Sequence, residues 1–433
     1  MNYYSTRNKN LTYPFGRAVR QGLAPDGGLF MPEVIPLLPA DFYRQLPELS
    51  LSQIAEIILR PYTNDDIPDD ALHEICRTAF TFPAPLVKLA DNLHALELYH
   101  GPTMAFKDFG ARLLARTLNY LNRHHQQRNV VLVATSGDTG SAVASGFYGL
   151  EHIEVVILYP YGKISDLQER QMTTLGGNIH ALAIDGNFDD CQRLVKKAFS
   201  DRQLTATYGL TSANSINIAR LLPQMIYYFY AWGQLAGHYT QVVFSVPSGN
   251  YGNLTAGILA QKMGLPVHRF LAAANVNNTV PAYLQSGYFE PRPTIATLSN
   301  AMDVGNPSNF ERLQSLFDNT LQSFRQHIAG YSFDDEQTLA AINRLYREYG
   351  YLADPHGAVG YLALEAWLKE NGGTGIFLET AHPAKFADTV KKATGRLPEL
   401  PAAWQGLEKK DKHFSRCGSD YQDFLDCLAT TLS

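Results

Sequence analysis

The nine residues His100-Gly101-Pro102-Thr103-Met104-Ala105-Phe106-Lys107-Asp108 set one lysine among apolar and aromatic neighbours just after a Gly-Pro turn. Ala105, Phe106 and Phe109 are poor company for an ammonium ion. Desolvation in such a setting lowers the amine pKa from about 10.4 toward about 7 to 8, where a neutral nucleophile becomes available. An amine of that kind can form a Schiff base with a carbonyl compound. The competing reading is a lysine that lays its stem on the core and carries its head to water or to Asp108. The local sequence leaves both open.

Two further segments share one pattern, an apolar strand that runs straight into Ser-Gly-Asp/Asn-x-Gly and then a helix. The first is Ser136-Gly137-Asp138-Thr139-Gly140, the second Ser248-Gly249-Asn250-Tyr251-Gly252. Glycines allow backbone amides to turn inward, and a helix that starts there aims its unpaired N–H groups and about half a unit of positive charge at the loop. Two such anion sites fit a cofactor phosphate and a substrate carboxylate or phosphate. The plainer alternative is that Ser or Asp caps a helix and Gly makes a turn. A carboxylate beside a bound anion repels it, so the Asp138 side chain is expected to cap backbone groups or to face away.

Other chemistries find little support. Neither loop matches Gly-x-Gly-x-x-Gly, and Gly162-Lys163 is followed by Ile164 without the Walker spacing. The adjacent pair His124-His125 belongs to no His-Glu-x-x-His or His/Cys pattern, so no metal site is expected. A Gly-x-Ser-x-Gly elbow for a serine hydrolase is also missing.

The elements that must position these residues alternate strand and helix. Residues 93–100, 129–135 and 155–159 read as strands, with 109–123 and 141–148 as helices between them. A second unit runs from a strand at 241–246 through a helix at 253–263 to a strand at 267–273. Such alternation predicts β-α-β units and a parallel sheet covered on both faces. Before them, helical periodicity at 51–60 and 69–81, among many turn residues, predicts a small, mostly helical N-terminal domain ending near Pro83-Ala84-Pro85. The last thirty residues read as a helical tail.

With 433 residues, 45% hydrophobic and 18% charged, the chain can bury a large core in two or three domains. A net charge of -5 offers no basic field for nucleic acid or an anionic membrane, so an anionic ligand needs a local pocket. Cys76, Cys191, Cys417 and Cys427 are too few and scattered for a disulfide framework. The first nine residues lack an apolar signal-like stretch, and no uninterrupted apolar run approaches a membrane span. A cytoplasmic protein is expected.

Taken in order, the motifs resemble the threonine synthases of the pyridoxal-phosphate-dependent β-family, fold type II. The resemblance spans nearly the whole chain. It rests on Ser5-Thr6-Arg7, the run from Gly22 to Phe30, His100 through Asp108, Ala134-Thr135-Ser136-Gly137-Asp138-Thr139-Gly140 and Leu175-Gly176-Gly177-Asn178. Ser212-Ala213-Asn214-Ser215-Ile216-Asn217, Val246 through Gly252, Leu298 through Val304, Asp354-Pro355-His356 and Thr380 through Phe386 continue it.

The family implies an α/β fold with parallel and mixed sheets flanked by helices in a large and a small domain. The division expected is an N-terminal domain at 1–82 and a catalytic core at 83–433 with a nested small subdomain near 110–215. By motif, Lys107 resembles the Schiff-base lysine that carries pyridoxal 5'-phosphate. Gly249, Asn250, Tyr251, Gly252 and Asn253 resemble the cradle of the cofactor phosphate, with Thr380 against the pyridine nitrogen. Thr135, Ser136, Gly137, Asp138 and Thr139 resemble the substrate-carboxylate loop, and Asn214, Ser215 and Arg220 the substrate-phosphate site. Tyr251 stands where Phe is frequent, and Asn253 where Asp also occurs.

The activity implied is a β,γ-replacement that turns O-phospho-L-homoserine and water into L-threonine and phosphate, with Lys107 doing most of the proton work. A phospho-lyase releasing 2-oxobutyrate would use the same elimination residues. A non-catalytic pyridoxal-phosphate binder would have no use for Lys107 and Arg220 together. No metal, nucleic acid or membrane partner is implied, and the sequence leaves monomer and homodimer both open.

Overall fold

Strands with no polar alternation build the centre of the molecule, as expected where both faces of a parallel sheet are covered. In Val242–Pro247 every residue is buried. The computed structural model describes residues 1–63, 66–123, 129–235 and 241–432. The pair His124-His125 lies outside the described residues.

The larger sheet has six strands in the order Ile328–Ser332, Arg269–Ala274, Val242–Pro247, Thr374–Glu379, Leu93–Glu97 and Leu86–Ala90. All neighbours are parallel except the last pair. The smaller sheet has five parallel strands, ordered Ser415–Cys417, Ile179–Ile184, Ile153–Pro160, Asn129–Ala134 and Leu210–Ser212. Helix Lys107–Asn122 leaves the larger sheet and packs on helix Asp138–Phe147 of the smaller one, so the two sheets meet around these helices.

The expected β-α-β units are present, with their helices starting earlier than periodicity indicates. The helix expected from residue 109 begins at Lys107, and the one expected from 141 begins at Asp138. Both starts fall on charged residues that the apolar pattern cannot count, and both bring the residue of interest to a helix N-terminus.

One expectation is extended and one corrected. The N-terminal segment carries helices Leu51–Thr63 and Asp69–Ala79 but also a three-stranded antiparallel sheet, with Asn2–Ser5 between Asn8–Pro14 and Phe30–Pro32. The C-terminal tail is not wholly helical. Strand Ser415–Cys417 precedes helix Tyr421–Leu432 and adds an edge to the smaller sheet beside Ile179–Ile184. A three-residue strand is too short to show a period, and only its pairing reveals it.

Candidate active site

Lys107 is held by a loop zipped to a distant strand end. Leu98 N–H donates to Glu379 O at 3.0 Å, Phe106 N–H to Thr380 O at 2.8 Å and His382 N–H to Met104 O at 3.0 Å. Thr380 is thereby set beside Lys107. Met104 takes a left-handed φ of 56°, backbone strain of the kind that gathers at functional sites. Asp108 does not pair with Lys107, because its two oxygens accept from Thr103 N–H at 2.8 Å and Thr103 Oγ1 at 2.7 Å. Burial pushes the Asp108 carboxyl up to about 6 against those hydrogen bonds.

The Lys107 ammonium has no hydrogen-bond or ion-pair partner among the described residues, and the Phe106 ring lies 5.8 Å from Nζ. Burial lowers its pKa to about 8, with Asp138 opposing the shift and Arg220 and Lys385 reinforcing it. The direction is the one that its apolar neighbours imply.

In the first glycine loop, Thr135 is an organiser. Its Oγ1 accepts from Gly137 N–H at 2.9 Å and Gly140 N–H at 2.8 Å. The amides of Ser136, Asp138 and Thr139 find no acceptor among the described residues, as at any open helix start. The Asp138 side chain caps no backbone group of the helix start. Its Oδ1 receives Lys385 Nζ at 2.6 Å and Gln168 Nε2 at 3.0 Å. Burial alone would raise this carboxyl, but Lys385, Lys107 and those hydrogen bonds hold it well below the carboxylate range. Gly137 must be glycine here: its φ is 135°, and a Cβ would come within 2.5 Å of the Gln168 side chain.

The second loop turns on Tyr251, a non-glycine at φ 58° that precedes helix Gly252–Lys262. Asn253 is spent on the loop itself, accepting from Ser248 Oγ at 2.8 Å and donating to Pro247 O at 2.8 Å. Asn250 Nδ2 donates to Ser215 Oγ at 2.5 Å, and its Oδ1 accepts from Ser308 N–H at 2.5 Å. The amides of 250–253 are left for a ligand. A Cβ on Gly252 would meet nothing nearer than Asn309 Nδ2 at 3.4 Å, so this helix start is open. Gly249 is closed in, with a Cβ position 2.7 Å from Met302 Cα.

Asn214 and Ser215 lie between the loops, and Arg220 packs against Gly110 of the helix that begins at Lys107. Asn214 Nδ2 clamps Ala134 O at 2.8 Å, which ties it to the strand feeding the first loop, while Ser215 faces Asn250 of the second. Arg220 is buried; its Nη1 donates to Ala213 O at 2.5 Å and its Nε has no partner among the described residues. Burial lowers its pKa to about 10, partly offset by Asp108.

Several supporting residues carry no local signal in the sequence. Fully buried Arg312 donates to Phe30 O at 3.2 Å, Ser215 O at 3.0 Å and Ile216 O at 2.6 Å, tying the N-terminal sheet to the site. Asp354 Oδ2 accepts from Ala381 N–H at 3.3 Å, and its Oδ1 takes His356 Nδ1. That leaves His356 Nε2 to accept from Ala301 N–H at 3.2 Å, fixing the tautomer and the segment that closes over Gly249. Lys385 and Gln168 complete the list. Lys385 stands in a motif visible in the sequence and Gln168 in none, and each meets Asp138 from far away in the chain.

The donor set fits pyridoxal phosphate. It offers a free, partly neutral amine, an open helix N-terminus with unpaired amides, and a Thr380 hydroxyl without a partner among the described residues. Among the described residues no group of three His, Cys, Asp or Glu could hold a metal ion.

Comparison with known proteins agrees with this geometry. Residues 78–375 match the family described as pyridoxal-phosphate dependent enzyme. Residues 2–80 match the threonine synthase N terminus, and 357–425 the threonine synthase C-terminal family. A threonine synthase of Haemophilus influenzae is 50% identical over 416 residues, covering 95% of this chain and 94% of that one. The crystal structure of threonine synthase from Escherichia coli superposes with a TM-score of 0.94 at 44% identity over 100% of both chains. A PLP-bound threonine synthase from Brucella melitensis gives 0.92 at 36% identity over 99% of each. The free lysine, the two open helix starts and these relationships together place the chain among the pyridoxal-phosphate-dependent enzymes of fold type II, as a member of the threonine synthase family.

Proposed function

We propose that this enzyme takes O-phospho-L-homoserine and water to L-threonine and inorganic phosphate. The observation that carries the choice of substrate is Arg220, a buried guanidinium close enough to Lys107 to lower its pKa, with an unpartnered Nε and no carboxylate hydrogen-bonded to it among the described residues. A phosphate ester supplies the missing acceptor and adds to the partial countercharge of Asp108.

When bound, pyridoxal phosphate supplies the electron withdrawal that acidifies substrate Cα and then Cβ. Lys107 would hold it, with the 249–253 amides at its phosphate and the Thr380 hydroxyl at the ring nitrogen. A hydroxyl there does not force the nitrogen to stay protonated, which moderates the electron withdrawal. We assign the amides of Ser136, Asp138 and Thr139 to the substrate carboxylate, and Arg220, Asn214 and Ser215 to its phosphate.

Lys107 then lies between the two anion sites. Its neutral form takes the Cα proton and next a Cβ proton. The Cγ–O bond breaks, and phosphate departs with the electron pair, its charge held by Arg220. Protons return to Cγ and Cα, and water adds its hydroxyl to Cβ and gives up a proton. Atoms balance with water as the only co-substrate.

The same reading divides the chain at about residue 82, with a nested unit on the smaller sheet near 110–215. Four unpaired cysteines, three of them buried, support a reducing compartment and hence the cytoplasm. No helix among the described residues is long and apolar enough to cross a membrane.

Incubating cofactor-loaded protein with O-phospho-L-homoserine tests the proposal. Equal amounts of phosphate and L-threonine are expected. Phosphate with 2-oxobutyrate and ammonia would make the protein a lyase, and no phosphate release would overturn the substrate.

A further inference from the structure

The first glycine loop contains a contradiction. Its unpaired amides suit a carboxylate, yet Asp138 stands within it, and two carboxylates in one low-dielectric pocket repel strongly. The structure resolves this through a residue from the other sheet. Lys385 sits in the 3-10 turn Pro383–Phe386 that follows strand Thr374–Glu379 of the larger sheet. Its side chain is 0% exposed and reaches Asp138 Oδ1 at 2.6 Å. Its Nζ also donates to Thr103 O at 2.9 Å, in the loop that leads to Lys107.

We propose that Lys385 determines specificity for a carboxylate-bearing substrate, by neutralising Asp138 so that the amides of the 135–139 loop can receive a second carboxylate. This rests on the function proposed above, which puts the substrate carboxylate at that loop. Lys385 acts through Asp138 and is a positioning residue.

Two features of the arrangement support the role. Gln168 Nε2 shares Asp138 Oδ1 with Lys385 at 3.0 Å, so two donors, one from beside each sheet, fix the carboxylate. Gln171 Nε2, one helical turn further on, donates to Thr103 O at 3.3 Å, so the same helix docks on the carbonyl that Lys385 also binds. Charge compensation and docking of the loop over Lys107 are thus one contact. Without Lys385, Asp138 would keep an uncompensated charge beside the loop amides.

The test compares binding of L-threonine and L-threonine methyl ester to cofactor-loaded protein by calorimetry. The ester keeps the amine and the hydroxyl but loses the charge. For Lys385→Met, L-threonine binding should weaken by about tenfold or more while ester binding changes by less than about threefold. The double variant Asp138→Asn, Lys385→Met removes both charges and should return L-threonine affinity to within about threefold of wild type. Thermal midpoints of the cofactor-free variants are read in parallel.

Equal weakening for both ligands in Lys385→Met, or no recovery in the double variant, would overturn the inference and leave Lys385 a structural residue. If Lys385→Met does not fold, Asp138→Asn alone decides. It must bind L-threonine at least as tightly as wild type, and weaker binding of L-threonine with unchanged ester binding would overturn the idea. Wild-type protein that binds neither ligand would overturn the function reading itself and this inference with it.

Discussion

Asp138 and Lys385 meet at 2.6 Å, one at the head of a helix on the smaller sheet and the other just past a strand of the larger, both nearly without solvent. The pair is the electrostatic joint between the substrate loop and the lysine loop. Removing one partner of a buried pair strands the other charge, so Asp138→Asn should lower the unfolding free energy at neutral pH by about 3 to 5 kcal/mol. The carboxyl is depressed in the folded state, so its stabilisation is full above the unfolded carboxylate pKa and is lost as pH falls through the folded value. Urea titrations should therefore show a wild-type advantage at pH 7 that narrows only below about pH 4. An advantage that narrows between pH 5 and 7 would contradict the assignment.

Lys107→Ala should abolish the visible absorbance of the cofactor-loaded protein and lower turnover by at least about a thousandfold, in keeping with loss of a general base. The thermal midpoint of the cofactor-free protein should not fall, because the substitution removes a desolvated amine with no hydrogen-bond partner among the described residues. A variant that keeps turnover would contradict the role.

Lys107 titrates near 8 because burial disfavours its ammonium, with Arg220 and Lys385 adding to the effect and Asp138 opposing it. The neutral amine is the nucleophile, so uptake of pyridoxal phosphate by cofactor-free protein should speed up as pH rises through about 8 and then level off. Asp138→Asn removes the opposing anion and should move that midpoint down. Stopped-flow absorbance reads both, and an upward move would contradict the charge arrangement.

Arg220→Leu should lower kcat/KM for O-phospho-L-homoserine by about a hundredfold or more, since the charge-assisted phosphate contact proposed for it would be lost. Arg220→Lys should recover only part of it, because an ammonium lacks the planar fork. Steady-state kinetics with a parallel thermal melt separates this from misfolding, since the leucine variant also gives up the buried Nη1 bond to Ala213 O.

Gly137→Ala should destabilise the protein by about 2 kcal/mol or more, given an unfavourable φ and a Cβ thrust against a packed side chain. The side chain in the way is Gln168, which also bonds Asp138, so L-threonine affinity should fall with it. Denaturation and calorimetry together check the coupling.

The parts of the site readable in the sequence were those whose signals are local. Lys107 among apolar neighbours, and two strands ending in Ser-Gly loops before helices, announce desolvation and open helix starts without any knowledge of the fold. Asp138 was visible as a difficulty but not as a solution, because Lys385 comes to it from another sheet. The same holds for Asn250 and Ser215, and for Arg312, whose three carbonyl partners come from two distant segments. The strand Ser415–Cys417 escaped because its identity lies in pairing with Ile179–Ile184 and not in its own three residues. Periodicity reports which face is buried, while partners across the core are set by packing.

The most direct test of the central claim is turnover of O-phospho-L-homoserine in water enriched in oxygen-18, with products read by NMR and mass spectrometry. Elimination followed by hydration puts one heavy oxygen in the hydroxyl of L-threonine and none in the released phosphate, because the ester oxygen leaves with phosphorus. That is the result the account predicts. Heavy oxygen in phosphate, with homoserine as the carbon product, would mean simple ester hydrolysis and would contradict it.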